Sequence, residues 1–225
     1  MPPSFLLDRI GEEKARCTTI VEYQPNSKFP THTHIGGEEF LVLKGTFKDQ
    51  FGAFPAGTYV RNPIGSQHAP WVDDDGCTIM VKLLQMADTG EDSNKPLHIN
   101  LEQAKTESGK PTEYGTLADL YHNQQTGELV QMCWLDSDKI FPVDDLCKGG
   151  EELFVMQGSL TLGVATYPEW GWLRFPAETT PSEERVQLKA GSQGAQVFRK
   201  TGHLTDKALS MEKIQINEDE TFKMT

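Results

Sequence analysis

The sequence predicts an all-β protein built twice over on one plan. Residues 36–46 read GGEEFLVLKGT and residues 149–159 read GGEELFVMQGS. Glu38 and Glu151 stand 113 positions apart in a chain of 225, and a Phe-Pro pair precedes each copy, at Phe29-Pro30 and Phe141-Pro142. Repetition at half the chain length points to duplication of a whole unit rather than chance recurrence of one strand. Short apolar runs, broken by Gly, Pro, Asn and Asp, fill both halves, and no segment carries a long helical apolar period. Many short strands with regular turn signals predict a sandwich or barrel.

Taken in order, strands are expected over 18–23, 40–43, 58–60 and 77–84 in the first half. The second half adds 129–134, 153–156, 160–164, 185–188 and 195–198. Residues 40–43 are apolar at every position, so both faces of that strand are expected to be buried. The polar stretch between the halves reads as a connector, with a short strand or helical turn near 97–105. The organisation is a first barrel over 1–87, a connector over 88–115 and a second barrel over 116–225.

Lys and Arg total 21 against 33 Asp and Glu, a formal charge of −12. With no basic stripe, the chain is not expected to bind nucleic acid or an anionic membrane surface. No apolar run approaches the ~20 residues of a membrane helix. Residues 1–8 lack the basic and apolar regions of a signal peptide, so a cytoplasmic protein is expected. Cys17, Cys77, Cys133 and Cys147 form no CxxC pair and read as reduced, buried thiols.

Chemistry concentrates in His32, His34, Glu38 and His68. On a strand, side chains two apart share a face, so His32 and His34 point the same way. Glu38 has the same parity as the two histidines, unless Gly36-Gly37 bulges, and shares its face with Phe40 and Val42, which should line the barrel interior. Three imidazoles and a carboxylate buried together suit a divalent metal and are costly to bury without one. Alone, a His-x-His pair beside a Glu reads more readily as surface loop residues.

The spacing His32-x-His34-x3-Glu38-x6-Gly45 resembles the first signature of the cupin family. Gly57-x5-Pro63-x-Gly65-x2-His68 resembles the second. The resemblance implies two tandem jelly-roll β-barrels, with His32, His34, Glu38 and His68 as metal ligands. Gly45 and Gly57 are expected at tight turns at strand ends. Asn26 stands where the first signature has glycine and tolerates positive φ. Within the family, residues 32–45 and 61–71 look most like the cupin domain of ChrR anti-sigma factors, which carries zinc and serves a response to singlet oxygen. The sigma-binding domain of those proteins has a CxxC pair that this sequence does not contain.

In the second unit Glu151 matches Glu38. The two histidine positions fall on Asp145 and Cys147, or on Asp144 and Leu146, and no histidine stands near Pro181. The second barrel is expected to keep the fold without a complete metal site, with Glu151 solvated or internally paired. His98, His122 and His203 read as ordinary polar residues. Phe40, Tyr59 and Trp71 line a pocket above the metal or simply pack the core. Gln67 is a candidate for orienting a ligand, Asp73 to Asp75 read as a solvated turn, and Cys77 is a candidate oxidant-sensing thiol.

Together these imply one divalent metal per chain, zinc first, with Fe, Ni or Mn as alternatives. The expected function is a regulatory or oxidative-stress sensing module without its own sigma-binding domain. The alternative is a metal-dependent dioxygenase acting on a small diketone-like substrate; no catalytic residue is assigned. Expected partners are a regulatory protein or a small-molecule ligand, and an exposed strand edge leaves room for a homodimer.

Overall fold

Each GGEE copy opens a twelve-residue strand on which one barrel is built. A computed structural model describes residues 4–10, 16–90, 95–143, 149–177 and 187–204. The first barrel contains β1 (Ser4–Ile10), β2 (Arg16–Tyr23), β3 (His32–Thr33), β4 (Glu38–Asp49), β5 (Gly52–Pro55), β6 (Thr58–Asn62), β7 (Gln67–His68) and β8 (Cys77–Leu83). The segment 95–112 carries β9 (Leu97–Asn100), α1 (Leu101–Ser108) and β10 (Lys110–Thr112). The second barrel contains β11 (Gly115–Asn123), β12 (Glu128–Leu135), β13 (Ile140–Pro142), β14 (Glu151–Leu162), β15 (Ala165–Tyr167), β16 (Trp172–Phe175) and β17 (Gln187–Thr201).

The main sheets run β1-β2-β8-β4-β6-β9 and β10-β11-β12-β17-β14-β15, with antiparallel pairing throughout. β5 pairs with β4, β13 with β17 and β16 with β14, while β3 and β7 form a small separate sheet. These are two tandem jelly-roll barrels. The connector is itself structured: β9 extends the first sheet and β10 the second. Between them Asn100 caps α1, accepting from the Gln103 N–H at 3.0 Å. Among the described residues, no helix is long and apolar enough to cross a membrane.

Alternation along β4 explains its unbroken apolar run. Phe40 and Val42 face the core of the first barrel, with Phe47, Val60, Ile79 and Val81. Leu41 faces the other way, into a core shared by both barrels. There it meets Ile20, Tyr59 and Met80 of the first sheet, Met132, Phe154 and Phe198 of the second, and Leu101 and Ala104 of α1. Burying each large side chain here contributes roughly 1.5–3 kcal/mol. The two sheets therefore pack face to face, and a third core fills the second barrel.

The two glutamates of each copy divide in the same way. Glu38 and Glu151 turn into their barrels, while Glu39 and Glu152 turn into the shared interface. Glu39 accepts from Arg61 at 3.0 Å and pairs with Lys200; Glu152 pairs with Lys82. Each ion pair with a lysine crosses from one barrel to the other.

Gly45 lies inside β4 rather than at a strand end. The ladder with β8 shifts between Val42 and Lys44, and β4 then turns toward β5. At this kink Gly45 has φ +70°, and an added Cβ would stand 2.2 Å from the Gly76 carbonyl oxygen. Gly158 repeats the arrangement in the second barrel, with φ +77° and the Gly194 carbonyl oxygen at 2.2 Å. Gly57 (φ +81°) and Asn26 (φ 61°) adopt the left-handed turn conformations expected of them.

Candidate metal centre

β3 and β7 pair so that His32 lies opposite His68. His34 follows β3, and its N–H donates to the Ser66 carbonyl, which ties it to the loop that ends in His68. The turn over Ile35 and Gly36 then delivers Glu38 at the start of β4. The three imidazole rings meet edge to face, with centroids 4.6–5.0 Å apart. One ligand atom of each histidine lies within 4.8 Å of the others. Glu38 Oε2 is 3.5 Å from His34 Nε2 and 3.7 Å from His68 Nε2. All four residues predicted from the spacing therefore converge on one point.

Hydrogen bonding fixes what faces that point. His32 Nδ1 is 3.0 Å from the Pro30 carbonyl oxygen, which only accepts, so Nδ1 carries the proton. His68 Nδ1 is 3.1 Å from Asp49 Oδ2, a carboxylate oxygen, and is protonated for the same reason. With Nδ1 as the donor on each ring, the two Nε2 atoms are turned toward each other at 3.2 Å. His34 Nε2 is buried with no hydrogen-bond partner. Burial, reinforced by His68 and His32, pushes the His34 imidazole down to about 3. Burial likewise lowers His32, with the Pro30 carbonyl opposing and His68 adding to the shift. Burial raises Glu38, against His68 and against Asn62, whose Nδ2 donates to Glu38 Oε2 at 3.0 Å. The Nε2 atoms of His32 and His68, the partnerless His34 Nε2 and Glu38 Oε2 thus face one another. A cation relieves that arrangement, and imidazole with carboxylate is a donor set for a divalent transition metal.

Two supporting residues carried no signal in the sequence. Asp49 closes β4, accepting from the Phe51 N–H at 2.8 Å through Oδ1 and facing His68 through Oδ2. Asn62 lies opposite Glu38 in the β4–β6 ladder. Gln67, the candidate for orienting a ligand, is exposed and donates instead to Thr33 Oγ1 at 2.9 Å. Its side chain alternates to the outer face of β7.

Phe40 packs the first barrel, and Tyr59 lies in the shared core, donating to Glu39 at 2.8 Å. Neither lines a pocket above the histidines. Trp71 is half-buried and borders a surface groove with Lys28, Phe29, Ala69 and Pro70. Cys77 is buried and its thiol is pushed up to about 12, which is the reverse of a reactive thiolate. Cys133 is buried and raised to about 12 in the same way, and Cys17 is also buried and raised. Asp73 to Asp75 form an exposed turn, and Asp73 pairs with Lys48. His98 and His122 are exposed, whereas His203 is buried against Glu152 at 3.0 Å.

In the second barrel Glu151 is internally paired. It is 1% exposed and accepts from Arg199 Nε at 2.7 Å. Asp144, Asp145, Leu146 and Cys147 lie outside the described residues.

Residues 4–87 match the ChrR cupin-like domain family. No curated protein sequence matches the chain. Among solved structures, salicylate 1,2-dioxygenase from Pseudaminobacter salicylatoxidans superposes with a TM-score of 0.63 at 13% identity, covering 93% of this chain and 78% of that one. A cupin 2 conserved barrel domain protein from Leptotrichia buccalis gives 0.55 at 8% identity, covering 88% of each chain. An 11S globulin from Wrightia tinctoria gives 0.59 at 10% identity, covering 88% of this chain and 82% of that one. At such identities the likeness speaks for the fold alone.

Proposed function

We propose that this chain, whose residues 4–87 match the ChrR cupin-like domain family, is a metal-dependent regulatory or oxidative-stress sensing module. It holds one divalent ion, zinc by preference, at His32, His34, Glu38 and His68. The observation that carries this reading is the meeting of bare histidine nitrogens: His32 Nε2 and His68 Nε2 at 3.2 Å, with His34 Nε2 buried beside them. Four protein donors complete a tetrahedral zinc shell, which suits a structural or sensing site. The match of residues 4–87 to the ChrR cupin-like domain supports the same choice.

A bound ion supplies positive charge that ties three loop and strand ends together. The chain's own residues keep the site ready for it. The Pro30 carbonyl and Asp49 hold protons on the outer ring nitrogens, and Asn62 holds Glu38 in place. Cys17, Cys77 and Cys133 are buried, which supports the metal site over these three thiols as the place where a signal reaches the molecule. His32, only half-buried, is the most accessible ligand. No sigma-binding role is assigned to these 225 residues, which contain no CxxC pair.

A second reading is a dioxygenase using Fe, Ni or Mn, on which the same four donors leave two octahedral positions free. It is favoured by the groove lined by Phe29, Pro70 and Trp71, which continues the strand pairing that carries His32 and His68. Metal identity on protein purified anaerobically without added metal separates the two, followed by oxygen uptake against a diketone panel. One zinc per chain and no uptake supports the sensing module. Iron with substrate-dependent uptake supports the oxygenase, and protein that takes up no divalent metal contradicts both.

A further inference from the structure

The two halves of the interface are related by the duplication, and their ladders set the correspondence. On β8, Leu83 faces Cys17 of β2 and Glu38 of β4. On β17, Thr201 faces Leu129 of β12 and Glu151 of β14. Lys82 therefore corresponds to Lys200, Glu39 to Glu152 and Arg61 to Arg174. Arg16 at the start of β2 corresponds to Glu128 at the start of β12.

One half balances its charges, with Arg61 Nε left without a hydrogen-bond partner. Arg61 donates to Glu39 at 3.0 Å and to both oxygens of Glu128 at 3.0 and 3.2 Å. Lys200 pairs with Glu39 and, at 2.8 Å, with Glu128. Two cations thus meet two carboxylates.

The other half lacks the second carboxylate. Lys82 pairs with Glu152 and His203 Nε2 lies 3.0 Å from it, but Arg174 Nε stands 3.7 Å from Glu152 Oε1, beyond hydrogen-bond range. Arg16 is 2% exposed, and its Nε, Nη1 and Nη2 are buried without a hydrogen-bond partner. Arg174 Nε is unpartnered too, as is Nε1 of Trp172, two residues away on the same face of β16. Burial lowers the Arg16 guanidinium; Glu152 opposes this, Arg174 adds to it and Asp8 opposes it, and burial prevails. Lys82 also feels Glu39, so the charges are counted over the whole interface: among the described residues Arg16, Arg61, Lys82, Arg174 and Lys200 stand against Asp8, Glu39, Glu128 and Glu152, one positive charge over.

We propose that this half of the interface binds one small carboxylate anion between the Arg16 and Arg174 guanidiniums, supplying from outside the second carboxylate that Glu128 supplies in the other half. A carboxylate offers the two parallel acceptors that a guanidinium fork takes, and a single negative charge balances the cluster. Arg174, with its side chain 26% exposed, marks the side from which the anion enters.

The test is the thermal stability of the full chain titrated with sodium acetate, against sodium chloride at equal ionic strength, with inorganic phosphate as a second arm. A saturable rise in melting temperature with acetate is expected. Arg16→Met and Arg174→Met should each lose it. Arg16→Glu should reproduce the Glu128 arrangement, melting higher than wild type without acetate and no longer responding to it. If Arg16→Met fails to fold, Arg174→Met and line broadening of carbon-13 acetate by the wild type carry the same test. No saturable response, a response to phosphate alone, or an acetate response retained in both arginine variants would each overturn the proposal.

Discussion

His68 takes its orientation from Asp49, which fixes the proton on Nδ1 and leaves Nε2 for the centre. Outer hydrogen bonds of this kind are typically worth about 10–100-fold in metal affinity. Asp49→Asn keeps an oxygen for the Phe51 N–H but turns an amide group toward His68. Competitive metal titration should show weaker binding by about that factor with the fold intact; unchanged affinity would remove Asp49 from the account. The four converging residues were readable in the sequence because family spacing binds them to one another. Asp49 was not, because an aspartate at the end of a strand is the ordinary residue of a hairpin turn. Gln67 stands beside His68 in the sequence, but strand alternation sends it outward to Thr33.

At the scale of the element, β4 is the spine of the first barrel. It presents Glu38 to the histidine cluster, Glu39 to the second barrel and Asp49 to His68, and its kink at Gly45 lets one strand serve all three. Gly45→Ala meets both positive φ and a carbonyl oxygen at 2.2 Å, and should cost about 2 kcal/mol or more in urea unfolding. A neutral result would mean the kink relaxes freely. The all-apolar run at 40–43 foretold burial on both faces, and the half-length repeat foretold two units. Neither said that each unit supplies the other's cover, because alternation identifies a buried face without naming what lies against it. The connector read as polar because the outward residues of β9 and α1 dominate its composition, while Leu101 and Ala104 are the buried pair.

Across the whole molecule, the barrels are joined by apolar packing threaded with charge, and this makes stability depend on acid. Burial raises Glu39, but Lys200 and Arg61 outweigh it and hold the carboxyl at about 2. Lys82 and His203 likewise overcome burial at Glu152 and hold it well below the usual carboxylate range. Burial pushes His203 down to about 4 against the pull of Glu152. All three bind protons more weakly folded than unfolded, so each favours folding at neutral pH and loses that contribution on acidification. Melting temperature should fall as pH drops from about 6.5 toward 4 as His203 is protonated on unfolding. It should fall further between about 4.3 and 2 as the carboxylates follow. A flat profile above pH 4 would contradict the role given to His203. The central claim is the single metal centre in the first barrel, and metal content per chain tests it most directly, in wild type, His34→Ala and Glu151→Ala. Wild type and Glu151→Ala should each hold about one divalent ion. His34→Ala should approach none and melt about 5 °C lower, since the ion stabilises the folded state by mass action. Full metal content in His34→Ala, or a loss in Glu151→Ala, would contradict the account.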